Sequence, residues 1–352
     1  MESWSGNNPG HHATTKGRRR MPHALIGTTN GIHRLDHDAL TSLELRGHRI
    51  SAVQAHREPS GTLIMLAGTY GDGLYRSDDD GRTWARIDQG LTASAFRTII
   101  TDPHDATAIL AGTEPGRIFR STDSGLTWSE FDAIRALDHV DEWYLPYSPR
   151  AGAVRNIYSP PGSDRLLAAV EVGGLLDSPD HGVTWTCGPF LGDTDIHYIT
   201  GHPTEPDILF AALGWASLKT VEVPADSPPV GGVAGSTDGG RTWTKLFSDY
   251  TRAVIVPPSH PHLLLACPGK KVGAQSHIQV STDNGDSWTP AGTGLDVPMD
   301  DMVEEFIPAP DETIWALRSG GALYSAHPTE WRWRPVITPE AGINVKSVAF
   351  IP

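Results

Sequence analysis

The chain has 352 residues, among them 37 Gly, 28 Pro, 11 Trp and only two Cys, and a formal net charge of -14. The acidic balance excludes a general nucleic-acid binder, which needs a basic surface to neutralise phosphate. No apolar run reaches the length that spans a bilayer, so no membrane association is expected.

Cys187 and Cys267 are too few for a disulfide scaffold and fit a reducing, cytoplasmic setting. Residues 1–22, rich in Gly, Asn, His and Ser, read as a disordered tail before one domain at 23–352. Met21 is an alternative start. The stretch after Arg18, Arg19 and Arg20 is too polar for an export signal.

Gly and Pro punctuate the whole chain, no long helical periodicity separates them, and the elements read as short strands. Residues 24–45 look like the later strands of a repeat that lacks its first. From there a unit recurs in chain order: a first strand, a second apolar strand, then the eight residues Ser-x-Asp-x-Gly-x-Thr/Ser-Trp. The eight-residue motif spans Ser77–Trp84, Ser121–Trp128, Ser178–Trp185, Ser236–Trp243 and Ser281–Trp288. Its aspartate suits a turn that accepts backbone N–H groups, and its glycine permits positive φ. Copies on separate repeats cannot converge on one substrate, so the aspartates are structural.

The first strands carry a pattern of their own, at Ile50–Val53, Phe96–Ile99, Val154–Ile157, Ile196–Ile199, Thr251–Val254 and Val303–Phe306. A degenerate repeat at 303–335 contains Trp331 and Trp333. The chain then ends on Val345–Val348, a first strand with nothing after it. Pairing that strand with residues 24–45 completes a ring and removes the exposed sheet edges. The expected fold is therefore all-β, a single seven-bladed β-propeller of four-stranded antiparallel blades, and a monomer is expected.

One register of each first strand faces the axis of such a ring. It holds Lys346, Ser51, Arg97, Arg155, His197, Arg252 and Glu304 in ring order. Arginine forks bind carboxylate and phosphate, which points to a small anionic ligand held by Arg97, Arg155, His197, Arg252 and Lys346. The alternative is that each Arg pairs with a carboxylate of a neighbouring blade. If the arginines serve the ligand alone, replacing Arg155 and Arg252 by alanine leaves stability nearly unchanged.

Three long connections, 132–153, 214–234 and 268–277, fall on one rim. The first carries His139, Asp141, Glu142, Trp143, Tyr144 and Tyr147. Trp143 is a candidate ligand contact, and Glu142, Asp141, Glu304 and Tyr144 are the candidate catalytic groups. Glu114, Glu171 and Tyr70 share that rim. No cofactor is required by the sequence; a divalent metal on His139 and His197 is compatible with it.

The five motifs make the chain similar to the Asp-box, or bacterial neuraminidase repeat, family after residue 22. Within that resemblance, sialidases imply an arginine cluster holding a carboxylate, with an acid and a tyrosine performing hydrolase- or lyase-type chemistry. Their early Phe/Tyr-Arg-Ile-Pro motif has only Phe96-Arg97-Thr98-Ile99 as a counterpart here. Xyloglucan-degrading hydrolases imply a cleft between two propellers. The photosystem II assembly factor type implies a single propeller docking a protein, and so an acidic protein segment as the alternative partner.

Overall fold

The computed structural model describes residues 21–37, 39–145, 147, 151–188, 194–216, 230–339 and 343–352. The expected disorder of the tail falls on residues 1–20 and most of the 214–234 connection on residues 217–229, both outside the described residues.

Seven antiparallel sheets follow one another along the chain. Blade 1 joins Val345–Phe350 to Ala24–Thr28, Gly31–Asp36 and Ala39–Ser42, with Ala24 opposite Phe350 and Ile26 opposite Val348. Blades 2 to 7 begin at Ile50–Arg57, Ala95–Asp102, Ala153–Tyr158, Ile196–Gly201, Tyr250–Ile255 and Val303–Pro308. Each has four strands in sequence order. Blade 6 adds a short strand, Ala274–Ser276, which pairs back on Leu264–Lys271, so the expected 268–277 loop is a hairpin. The ring is closed by its own last strand, as the sequence implied.

The blades are held together by seven apolar clusters, one at each junction between neighbours. The cluster between blades 7 and 1 contains Trp315, Leu317 and Leu323 with Ala24, Ile26 and Leu35. Second strands such as Leu63–Thr69 and Leu166–Glu171 are buried along their whole length, because each is covered on both faces.

The repeated motif fixes the outer turns. Gly81, at φ +79°, donates its N–H to Ser77 Oγ at 3.0 Å. Thr83 donates its N–H and hydroxyl to the two Asp79 carboxylate oxygens at 2.9 and 2.7 Å. Trp84 Nε1 donates to Gly81 O at 3.1 Å. The same bonds recur around Asp123, Asp180, Asp238 and Asp283. Those from the Thr or Ser four residues on hold Asp79, Asp238 and Asp283 down at about 2. Anchored this way, each tryptophan packs into the junction with the preceding blade: Trp128 on Ala52, Leu66 and Leu74, and Trp185 on Leu110 and Ile118.

Candidate functional site

The first strands of neighbouring blades pack against one another around the axis. Each carries a β-bulge at an equivalent place near its rim end. The pairing of blade 2 passes from Ile50 directly to Ala52, leaving Ser51 without a partner of its own. The shift falls at Arg97, Arg155, His197 and Glu304 in blades 3, 4, 5 and 7, across Arg252 and Ala253 in blade 6, and at Lys346 in blade 1. A bulge turns its extra residue out of the ladder. All seven side chains of the expected ring therefore line one axial cavity of about 280 Å³.

The cavity is not a free ring of cations. Arg97 Nη1 lies 2.8 Å from Glu114 Oε2. Arg155 bridges Glu171 Oε2 and Glu304 Oε2, both at 3.1 Å, and Arg252 also pairs with Glu304. Arg318 Nε donates to Asp301 Oδ1 at 2.7 Å. Burial opposes ionisation of Glu171, yet Arg155, His197 and Arg97 bring its carboxyl down to about 2. Glu304 is likewise lowered, with Arg252 and Arg155 overcoming burial. The pairing of arginines with neighbouring carboxylates is thus what the fold adopts for three members of the ring.

Two cations in the wall are different. Arg49 stacks over the Tyr70 ring, 4.8 Å from its centroid, and Lys346 Nζ reaches only the carbonyl of Ser319 at 3.4 Å. Among the described residues neither has a carboxylate partner. Burial and then the nearby Arg49 guanidinium lower the Lys346 pKa, while Glu304 opposes them.

The bulge at Glu304 also places the next residue, Glu305, in the same wall. Burial pushes its carboxyl up to about 7, with Arg155 opposing and Glu304 assisting. One cavity thus holds an ionised and a protonatable carboxyl, the split that acid–base chemistry requires. Glu305, Tyr198, Arg97 and Arg155 also line a second cavity beyond them, so they form the waist of the channel.

The 132–153 loop departs from expectation. Residues Asp132–Ala136 and Val140–Glu142 form 3₁₀ turns. They seat Trp143, only 2% exposed, against Gly116, Gly152 and Gly173, where a Cβ would stand 2.9 to 3.1 Å from the indole. Trp143 is therefore core, and with Asp141 it borders a separate cavity beside Arg117 and Arg135. Glu142 pairs with His139 at 3.2 Å on the surface, and Tyr144 packs against the junction of blades 3 and 4. None of these five lines the axial cavity, because docking of Trp143 turns its neighbours outward. Among the described residues of this loop only Tyr147 reaches the cavity, and it donates to Glu171 Oε2 at 3.1 Å.

Sequence reasoning missed Arg49, Asp195 and Tyr250. Each lies two positions before a ring residue, and alternation along a strand puts it on the same side. That register was legible and went unread. Asp195 comes within 3.3 Å of His197 Nε2, and Glu171 completes a group of three whose donor atoms all lie within 4.8 Å of one another. The metal-compatible partners of His197 are these two carboxylates rather than His139.

The class that emerges is a seven-bladed propeller with a polar, charge-paired axial cavity. The Sortilin-Vps10 family model (sortilin, neurotensin receptor 3) matches residues 72–147, a minor part of the chain. No curated protein matches the chain by sequence. A solved GH74 xyloglucanase from Xanthomonas campestris is similar with a TM-score of 0.66 and 19% identity, over 94% of this chain and 52% of that one. The chain thus spans about half the length of that enzyme. YCF48 bound to D1 peptide is similar with a TM-score of 0.56 and 16% identity, over 87% of this chain and 90% of that one. The mitotic checkpoint complex gives 0.57 and 10% identity, over 100% and 92%. At such identities the likeness shows the fold alone. Among the described residues no helix is long and apolar enough to cross a membrane.

Proposed function

We propose that the axial cavity binds a small anionic molecule bearing a carboxylate or a phosphate. The observation that carries this reading is the pair Arg49 and Lys346, an exposed and a half-buried cation in the cavity wall, neither of which has a carboxylate partner among the described residues. Their mutual repulsion is relieved when an anion bridges them. Arg97, Arg155 and Arg252, already paired, hold the rest of the wall in shape. On this reading Glu305 donates a proton to the bound molecule and Glu304 stays ionised, which is hydrolase- or lyase-type chemistry.

Calorimetric titration with inorganic phosphate and with citrate tests the reading. Binding is expected to weaken at least about tenfold in Arg49→Ala and in Lys346→Ala, the loss of roughly one charge-assisted contact. Equal affinity in both variants and the parent defeats it. A second reading, docking of an acidic protein segment, draws on the similarity to YCF48, whose solved structure carries a peptide. It predicts binding of an acidic peptide but of neither small anion.

A further inference from the structure

The wall of the cavity opposite Arg49 and Lys346 holds donors of another kind. His197 is 3% exposed, and its Nδ1 is buried without a hydrogen-bond partner. Its Nε2 faces Asp195 Oδ1 at 3.3 Å and the Tyr250 hydroxyl at 3.2 Å. A charge-assisted bond between imidazolium and carboxylate closes to ~2.8 Å, so this contact is stretched. It has instead the spacing of two ligands on one ion, since donors ~2.1 Å from a tetrahedral zinc stand ~3.4 Å apart. Glu171 supplies the third donor: its Oε2 is taken by Arg155 and Tyr147, and among the described residues its other oxygen has no such contact.

The backbone makes room for this group. Pairing sets Ala95 opposite Glu114, Ala153 opposite Glu171 and Tyr250 opposite Gly269 at the rim end of blades 3, 4 and 6. In blade 5 the residue at that station is Gly214, which donates its N–H to Asp195 O. A Cβ on Gly214 would stand 2.0 Å from Asp195 Oδ2 and 2.7 Å from His197 Nε2. Asp195 and His197 thus occupy space that any other residue would fill. We propose that Glu171, Asp195 and His197 form a site for one divalent transition cation of the low-coordinate, zinc type. One imidazole and two carboxylates suit such ions, and the remaining coordination positions open on the cavity.

This inference stands apart from the anion reading, because none of its donors is Arg49 or Lys346. The full chain, stripped with a chelator, is titrated with Co²⁺ or Zn²⁺ alone, without any anionic ligand. The expected results are a rise in melting temperature with metal and a strong visible Co²⁺ band that one equivalent of Zn²⁺ removes. Affinity falls at least tenfold in Asp195→Asn and in His197→Gln, and is unchanged in His139→Ala. If neither of the first two variants folds, the wild-type Co²⁺ spectrum decides: an intense low-coordinate band supports the site, and a weak six-coordinate one overturns it. Binding that survives both variants also overturns it, by assigning the metal to surface histidines. Failure here leaves the phosphate and citrate titrations as they were, so the two readings fall separately.

Discussion

Replacing Glu305 by glutamine isolates the cost of an unpaired carboxyl in the channel waist. Glutamine keeps the shape of the protonated acid and removes its charge. In the folded protein the carboxyl sits at about 7 against an ordinary 4.5, because burial disfavours the ionised form. The folded state thus holds this proton more tightly than the unfolded chain does. The group costs nothing below the unfolded value, where it is protonated in both states, and its cost grows as pH rises from 4.5 to 7. That difference corresponds to ~3 kcal/mol at full effect, and water in the channel lowers it to about 1–3 kcal/mol. Glu305→Gln should lie within about 1 kcal/mol of the parent at pH 5 and exceed its stability by the full amount at pH 8, a gain of several degrees in melting temperature. Urea unfolding of both proteins at the two pH values measures it. Parallel stability profiles, with the same difference at pH 5 and pH 8, would refute the assignment.

Trp128→Ala should cost about 3–5 kcal/mol, since the indole is 4% exposed at the junction of blades 2 and 3; chemical denaturation reads this directly. Removing residues 345–352 deletes the strand paired with Ala24–Thr28 and part of the cluster between blades 7 and 1. Cooperative unfolding should be lost and proteolysis should begin within residues 24–42. Arg252→Ala leaves Glu304 with Arg155 as its remaining guanidinium, and a loss on the order of 3 kcal/mol is expected. Unchanged stability would instead fit arginines held for a ligand alone.

Local repetition made the fold legible. The Ser-x-Asp-x-Gly-x-Thr/Ser-Trp turns satisfy their hydrogen bonds within eight residues, so their geometry follows from sequence without the rest of the molecule. Spacing between them counts the blades, and the orphan strand at Val345–Val348 had one place to pair. The same periodicity located the ring residues, because each lies at a fixed distance from the strand's apolar pair. Partners across the axis were not legible. Glu114 and Glu171 come from second strands, and only closure of the ring brings Arg155 between Glu171 and Glu304, 149 residues from Arg155 in the chain. The outward turn of Asp141, Glu142 and Tyr144 depended on three glycines from separate segments making room for Trp143. Sequence by itself determined the number of blades, their closure and which residue of each faces the axis, since these rest on contacts near in the chain. Tertiary structure decided which charges meet there, because pairing across a ring is set by where seven separate strands converge.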